Sequence, residues 1–212
     1  MRISILVEGR TERSFKPFLI KFLEDHFARQ EPKFTGQLPK LDFVPQDGGL
    51  PTNEKLLRVV ENLLKDRKSP ADAVVALTDV YTGKNPPLFV DANDAKQKMN
   101  QWVRGNTKFY PHVALHDFEA WLIPYWSKIQ RLAKSNRTAP APNPETVNHN
   151  NPPAYQLQEV FRTGGHKKSY SKTIDAARIL NGEDLLVSIN ACAELKSFVN
   201  RIISLCGGIP IP

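Results

Sequence analysis

The first twelve residues constrain the fold of this chain more than any other segment. The apolar, largely β-branched run Ile3–Val7 predicts a buried strand. Glu8 follows this run directly, at the C-terminal end of a strand, which is where open α/β sheets place their ligands. Gly9 allows the backbone to turn tightly at this point. The segment therefore predicts a strand-to-helix junction that carries an acidic side chain.

The residues after Gly9 predict the start of a helix. Thr11 is expected to cap it, and Glu12 lies in its first turn, four residues after Glu8. Two carboxylates at one junction repel each other unless a cation or a proton lies between them. Alternatively, Glu12 is a solvated acid that the helix dipole favours. The sequence leaves both interpretations of Glu12 open.

Strands and helices are predicted to alternate along the first half of the chain. After the first strand, strands are predicted at Leu41–Val44, Ala71–Asp79 and Phe109–His116, and helices at Thr11–Phe27, after Thr52 or Asn53, and at Asp91–Val103. This alternation predicts an α/β fold with a mainly parallel sheet. Because parallel strands end at the same edge, we expect Glu8, Asp79 and the pair Asp117 and Glu119 to converge there.

The second half of the chain is predicted to be helical. Five prolines in residues 138–153 predict a surface loop that buries little. Helices are predicted at residues 154–161, 172–180 and 184–205. With 212 residues, one domain is expected. It would comprise an α/β core at about 1–126, the Pro/Asn-rich loop at about 138–153 and a helical C-terminal part at about 154–206.

Composition predicts a soluble cytoplasmic protein with no membrane partner. The chain is 41% hydrophobic and 24% charged, which is ordinary for a globular protein. No apolar run approaches the roughly 20 residues that cross a bilayer, and the N-terminus does not resemble a signal peptide. Cys192 and Cys206 form no CxxC motif, so we expect reduced thiols.

The positive charge is concentrated in one quarter of the chain. Residues 128–178 contain nine Lys or Arg and three acids, a net +6 out of +7 for the whole chain. A basic segment beside an acidic centre suits a polyanionic substrate. The candidate nucleic-acid-binding residues are Arg162, Lys167, Lys168 and Lys172. The stretch Gly164–Lys168 could alternatively cradle a phosphate or form a solvated loop.

Acids at strand ends predict a divalent metal site. Mg²⁺ and Mn²⁺ take oxygen ligands, and two such ions about 4 Å apart can activate a water for phosphodiester hydrolysis. Glu8, Asp79 and Glu119 are the primary candidate ligands, and Asp117 and Glu12 are secondary. Each acid could instead be a helix cap or an ion-pair partner. His112 and His116 share a face of the strand predicted at Phe109–His116; they could hold a metal, but structural roles are favoured.

Several motifs together resemble a known family. Val7-Glu8-Gly9-x-Thr11-Glu12 resembles the first motif of the Toprim domain, the metal-binding fold of topoisomerases, primases and OLD-type nucleases. Asp79 matches the first position of its DxD motif, whereas Tyr81 replaces the second acid. With His116-Asp-Phe-Glu-Ala-Trp-Leu122 and Tyr170-Ser-Lys172, the chain resembles a Toprim branch related to the OLD and RloB groups.

The resemblance implies a Toprim-like three-layer α/β fold with additional C-terminal helices. It also implies a divalent-metal-dependent endonuclease that cleaves DNA or RNA in phage defence, together with an ABC-type ATPase and with a homo-oligomer allowed. Glu12 then matches a metal ligand of OLD-type nucleases, and Lys172 is the counterpart of their late catalytic lysine. Tyr81 favours the alternative, a catalytically degenerate subunit that binds nucleic acid or regulates a partner.

Overall fold

A four-stranded parallel sheet forms the centre of the protein. The computed structural model describes residues 1–46, 49–80, 88–146 and 150–212. Within these ranges the strands are β1 (Arg2–Val7), β2 (Lys40–Pro45), β3 (Ala73–Val80) and β4 (Phe109–Leu115), in the order β2-β1-β3-β4. The predicted α/β class with a parallel sheet is confirmed.

Eight α-helices surround this sheet in the described ranges. They are α1 (Arg10–Ala28), α2 (Asn53–Leu64), α3 (Ala92–Trp102), α4 (Trp126–Ala133), α5 (Pro153–Thr163), α6 (Ile174–Leu180), α7 (Leu185–Ala191) and α8 (Ala193–Leu205). Two 3₁₀ helices lie at Phe118–Tyr125 and Pro144–Thr146. None of the helices described is long and apolar enough to cross a membrane.

The alternation of side chains along β1 separates two apolar layers. Ile3, Ile5 and Val7 are fully buried on one face, with α1 and α8, whereas Leu6 is buried on the other, with α2 and α3. α1 connects β1 to β2, and α2 and α3 lead the chain back in the opposite direction across the sheet. Right-handed crossovers therefore place α1 opposite α2 and α3. The result is a three-layer α/β fold.

The C-terminal helices share the core of the sheet. Trp121, in the 3₁₀ helix after β4, is 1% exposed and lies between Phe15 of α1 and Phe198 of α8, with ring centroids 5.7 and 6.0 Å away. α8 also packs against β4. The helices at residues 154–206 thus cover the same sheet face as α1, and their apolar side chains join one cluster with those of β1.

Two local predictions are wrong. α1 begins at Arg10 with Gly9 as its N-cap, so Thr11 lies inside the helix and is not the cap. The single helix predicted at residues 184–205 is two helices, because the backbone of Cys192 is extended between α7 and α8 (φ −124°, ψ 106°). This break lets α7 pack on the 3₁₀ helix while α8 packs on β4. Cys192 is a buried and Cys206 a partly buried free cysteine.

The Pro/Asn-rich loop is attached to the core more firmly than its composition predicts. Pro144 is buried, and the carboxylate of Glu145 accepts hydrogen bonds from the backbone N–H groups of Ala193 (2.8 Å) and Glu194 (2.9 Å). These N–H groups are unsatisfied at a helix N-terminus, where a carboxylate also complements the helix dipole. Apart from Pro144 and, at the start of α5, Pro153, the described residues of this loop are exposed or partly buried, so the prediction of a surface loop that buries little is confirmed, and Glu145 attaches the loop to α8.

We expect Glu145→Ala to lower the free energy of unfolding by about 1 kcal/mol, because the first turn of α8 loses its cap. The effect should not be larger, because burial raises the pKa of Glu145 and so offsets part of the gain. Denaturant unfolding would measure the change. Glu24→Ala, at an exposed position of α1, is the control and should have little effect. Equal changes in the two variants would contradict the capping role.

Candidate functional site

The C-terminal ends of β1, β3 and β4 bring acidic side chains to one edge of the sheet. Glu8 follows β1, Asp79 is the penultimate residue of β3, and Asp117 and Glu119 follow β4. These three strands are neighbours in the order β1-β3-β4 and all are parallel. Their ends therefore lie side by side, and the structure brings together the four acids predicted there.

Glu8 connects the ends of β1 and β3. Its Oε1 accepts hydrogen bonds from the Thr78 hydroxyl and from the backbone N–H of Asp79, the latter at 3.1 Å. The chain leaves β1 towards β2 on one side, and β3 lies on the other side, so Glu8 lies at a switch point of the sheet. Such crevices are the usual ligand sites of open α/β folds. Thr78 was not among the predicted site residues, although it directly precedes Asp79 in the sequence.

Glu12 is a buried acid. It is 5% exposed, and its Oε2 has no hydrogen-bond partner in the described part of the chain. A Cβ atom at Gly9 would lie 3.2 Å from this oxygen, so a glycine leaves room for the carboxylate. Burial raises the pKa of Glu12, its own backbone N–H lowers it, and repulsion by Glu119 and Glu8 raises it further. The interpretation of Glu12 as a solvated first-turn acid is therefore wrong.

Asp117 and Glu119 form a buried acidic pair at the start of the 3₁₀ helix. They are 7% and 1% exposed. Asp117 Oδ2 accepts a hydrogen bond from the backbone N–H of Ala154 at 3.1 Å, in the first turn of α5, while Oδ1 has no partner among the described residues. Burial raises the pKa of both carboxyls, and the charge of Asp117 raises that of Glu119 further.

Asp79 experiences the combined field of the acids. Burial raises its pKa well above the ordinary value, and repulsion from Glu8, Asp117, Glu12 and Glu119 adds to the effect. In the absence of a cation, the folded protein therefore favours a proton on this group. Strongly raised carboxyl pKa values in a crevice are typical of functional sites.

Lys172 supplies a positive charge beside the acids. Its Nζ lies 3.5 Å from Glu119 Oε1, and its side chain is 57% exposed. Burial lowers the pKa of Lys172, but the charges of Glu119, Asp117 and Asp79 raise it more. The preceding Ser171 is fixed by a 2.8 Å hydrogen bond from its N–H to Asp175. The structure thus places the predicted catalytic lysine at the acidic edge.

Tyr170, which the sequence analysis quoted in a motif without assigning it a role, is buried beside the acids. It is 8% exposed, its ring lies 5.5 Å from that of Phe161, and its hydroxyl has no hydrogen-bond partner within the described ranges. Burial raises its pKa, and the charge of Glu119 raises it further, which places the phenol near that carboxylate. Its position two residues before Lys172 was the only signal in the sequence.

The acidic edge fits a divalent cation by its chemistry. All the candidate donors are carboxylate oxygens, which Mg²⁺ and Mn²⁺ prefer, and buried oxygens of Glu12 and Asp117 lack partners. Among the residues that the structure describes, no three His, Cys, Asp or Glu side chains are already arranged to hold one ion. Tyr81 lies outside the described residues. The assignment of Glu8, Asp79 and Glu119 as ligands stays a prediction.

The predicted nucleic-acid-binding residues differ in their surroundings. Arg162 already pairs with Glu159 at 2.7 Å, whereas Lys167 and Lys168 are exposed and have no ion pair in the described part of the protein. They lie in the segment between α5 and α6 that also carries Lys172. The structure therefore favours the two lysines over Arg162 as phosphate contacts.

The glycines before these lysines have a packing role. A Cβ atom at Gly164 would lie 2.0 Å from the carbonyl oxygen of Ala133, so only glycine fits against the end of α4. The N–H groups of Gly164, Gly165 and Lys167 donate to the carbonyls of Val160, Lys134 and Gly164, respectively. These three donors are not available to a phosphate, which favours a structural loop over a phosphate cradle.

The candidate histidine pair is not arranged on one strand. β4 ends at Leu115, so His116 lies beyond the strand, and the predicted strand is one residue too long. His112 is 5% exposed and packs on Phe198 with ring centroids 5.8 Å apart. Burial lowers the pKa of His112 to about 3, so its ring is neutral.

We expect Glu119→Gln to stabilise the metal-free protein increasingly as the pH rises above about 4, the ordinary pKa of a carboxyl. A raised pKa means that the folded state holds a proton that the unfolded chain has released, so ionisation costs stability. Because the pKa of Glu119 is raised from 4.5 to about 7, the gain should level off above pH 7 at about 3 kcal/mol. Thermal unfolding of wild type, Glu119→Gln and the exposed control Glu24→Gln would measure it. A difference that shrinks with rising pH would contradict the prediction.

Comparison with known proteins gives a family for the chain. No curated protein and no solved structure matches it. A family model described as "Domain of unknown function (DUF4276)" matches residues 7–203, which include all candidate site residues from Glu8 to Lys172. The comparisons provide no link to the Toprim, OLD or RloB proteins, so that resemblance stays a prediction. Because the match covers most of its 212 residues, the chain belongs to the DUF4276 family.

Proposed function

We propose that this protein is a metal-dependent nuclease that hydrolyses phosphodiester bonds of DNA or RNA. The observation that carries the proposal is the group of five carboxylates, Glu8, Glu12, Asp79, Asp117 and Glu119, at one edge of a parallel sheet and next to Lys172. Isolated buried carboxylates are costly, so such a group is retained where a cation compensates the charge. An acidic centre beside exposed lysines suits a substrate made of phosphates.

Each residue has a defined role in this proposal. Glu8, Asp79 and Glu119 hold Mg²⁺ or Mn²⁺, supported by Glu12 and Asp117, and the bound metal would activate a water and stabilise the leaving oxygen. The hydrogen bonds to one oxygen of Glu8 orient its carboxylate and leave its second oxygen available. The N–H of Ala154 fixes Asp117 in the same way.

Lys172 acts on the substrate. Its ammonium group lies at the acidic edge, where it can stabilise the negative charge that develops on the phosphate during hydrolysis. The ion pair with Glu119 positions Lys172 before the substrate binds. Tyr170, packed beside the same carboxylate, provides a hydroxyl donor.

The substrate reaches this edge across Lys167 and Lys168. Lys168 precedes Lys172 by four residues, so the two Cα atoms are at most about 14 Å apart. That distance corresponds to roughly two to four phosphates of one strand at about 3.4 to 7 Å each. A nucleic acid bound at the lysines therefore extends to the carboxylates.

The biological setting of the proposal rests on the Toprim-like motifs. They favour a phage-defence effector that works with an ABC-type ATPase. A second candidate function is a catalytically degenerate subunit that binds nucleic acid or regulates a partner. It is favoured by Tyr81 in the DxD-like position and by the lack of a preassembled ligand set of three side chains within the described ranges.

We expect Glu8→Gln, Asp79→Asn and Glu119→Gln each to lower cleavage at least about 100-fold, since each removes a charged ligand. Lys172→Met should lower the rate with metal binding retained. The assay uses single- and double-stranded DNA and RNA with Mg²⁺ or Mn²⁺, with and without the ATPase, and Glu24→Gln is the control. The absence of cleavage in every condition would overturn the nuclease proposal.

Mn²⁺ titration calorimetry separates the two candidate functions. A nuclease should bind Mn²⁺ in a manner that Glu8→Gln abolishes and Glu24→Gln preserves. A degenerate subunit would bind nucleic acid but show no carboxylate-dependent Mn²⁺ binding. Glu8 is suitable because it is only partly buried, so its substitution leaves the apolar core intact.

Replacing Lys167 and Lys168 together with Ala should weaken nucleic-acid binding and reduce its salt dependence. Each phosphate contact contributes about 0.9 to the slope of log affinity against log salt on duplex DNA, so the slope should fall by up to about 2. Fluorescence anisotropy with the inactive Glu119→Gln protein would measure this slope. In protein that retains Glu119, replacing Lys167 and Lys168 should leave Mn²⁺ binding unchanged.

The matched control replaces Lys65 and Lys68 with Ala. These lysines are also exposed, but they follow α2 near the start of β3, at the opposite edge of the sheet from the acids. The control removes the same amount of positive charge, but at a distance from the proposed binding surface. The salt slope should therefore stay nearly as in the wild type. If both double variants reduce the slope equally, Lys167 and Lys168 contribute only general charge.

A further inference from the structure

A second polar cleft lies at the outer edge of the sheet. β4 is the last strand in the order, so its outer edge is not paired within the described residues. A cleft of about 290 Å³ lies there, between α3 and α8, with the first half of β4 as its floor. Its polar lining consists of Lys96 and Asn100 from α3, Tyr110 and His112 from β4, and Ser197 and Arg201 from α8.

The charged groups of this cleft are held in place by different contacts. Lys96 bridges to Glu194 of α8 at 2.6 Å, so the two helices are connected across the edge strand. The guanidinium of Arg201 lies 4.8 Å from the ring centroid of Tyr110 and has no carboxylate partner in the part of the chain that the structure describes. A planar guanidinium supported in this way can still offer its N–H groups to an anion.

His112 lines the same cleft and has an unsatisfied polar atom. The residue is 5% exposed, and no hydrogen-bond partner of its Nδ1 occurs within the described ranges. This nitrogen is itself buried, so His112 contributes to the cleft as part of its wall and as a neighbour of its charged groups. Lys96 and Arg201 are both near enough to act on the ring, and because Glu194 pairs with Lys96, the charge of Arg201 is the one left unbalanced in the cleft.

We propose that this cleft binds a phosphate group, with Arg201 and Lys96 supplying charge and Asn100 and Ser197 supplying neutral hydrogen-bond donors. Arginine forms two parallel hydrogen bonds to phosphate oxygens, and hydrogen bonds between ions are stronger than neutral ones. An anion would also balance the positive charge around His112. The cleft is formed by the start of β4, whereas the acids follow its end, so this site is separate from the proposed nuclease centre.

The phosphate can belong to a small ligand or to a nucleic-acid backbone. Both possibilities are tested by titrating chelator-treated protein with inorganic phosphate and with a short single-stranded oligodeoxynucleotide that carries no terminal phosphate. The imidazole ¹H–¹⁵N signals of His112 report on this cleft, which Lys167 and Lys168 do not line. We expect these signals to shift with at least one probe.

Arg201→Gln should lower the affinity of that probe by about tenfold or more, the loss expected for a charge-assisted bidentate contact. The matched control is Lys196→Gln, which removes one positive charge from the same helix at a residue that does not line the cleft. The affinity of Lys196→Gln for the same probe should stay within about twofold of the wild-type value. Arg201→Lys keeps the positive charge but cannot form the two parallel hydrogen bonds of a guanidinium, so it should give an intermediate loss of affinity. This variant serves as the test if Arg201→Gln fails to fold.

The outcomes are distinct. An Arg201-dependent shift with inorganic phosphate supports a small phosphorylated ligand, and one with the oligonucleotide alone supports a backbone phosphate. If neither probe shifts the His112 signals, or if Lys196→Gln weakens binding as much as Arg201→Gln, the proposal is wrong. Because these measurements involve neither metal nor cleavage, a failure here leaves the nuclease proposal unaffected.

Discussion

The parallel pairing of β1 with β3 fixes the positions of the acids and of the helices on both faces of the sheet. This pairing places Val7 opposite Leu77, so that Glu8 meets Thr78 and the N–H of Asp79 where both strands end. It also creates the switch point, because β2 lies on the other side of β1. The helices on both faces follow from the right-handed crossovers that a parallel sheet requires.

This geometry carries an electrostatic cost. The C-terminal ends of β1, β3 and β4 bring together acids that water cannot fully solvate. The pKa values of four of them are raised, with burial as the largest cause: Glu12, Asp79, Asp117 and Glu119. Lys172 compensates only part of this charge, since the pKa of Glu119 remains raised beside it. A cation or protons must balance the remainder, so a site of this kind is less stable when empty and is stabilised by the ligand it binds.

The helices after β4 complete the site and add to the core. The first turn of α5 donates a hydrogen bond to Asp117, and the segment before α6 carries Tyr170 and Lys172 to the acids. That segment is held by Gly164 against the end of α4. The core and the site are therefore built from the same contacts, so a substitution in the C-terminal helices affects both.

The parallel α/β sheet and the acids at its edge could be predicted from the sequence alone. The runs before Glu8 and Asp79 are too apolar for the surface and too short for a helix, and in a parallel sheet their ends must meet. The burial of Glu12, the contacts of Thr78 and Tyr170, and the break at Cys192 became visible when the chain was folded. Each of these depends on which surfaces of distant segments come into contact, and periodicity within one segment carries no information about that.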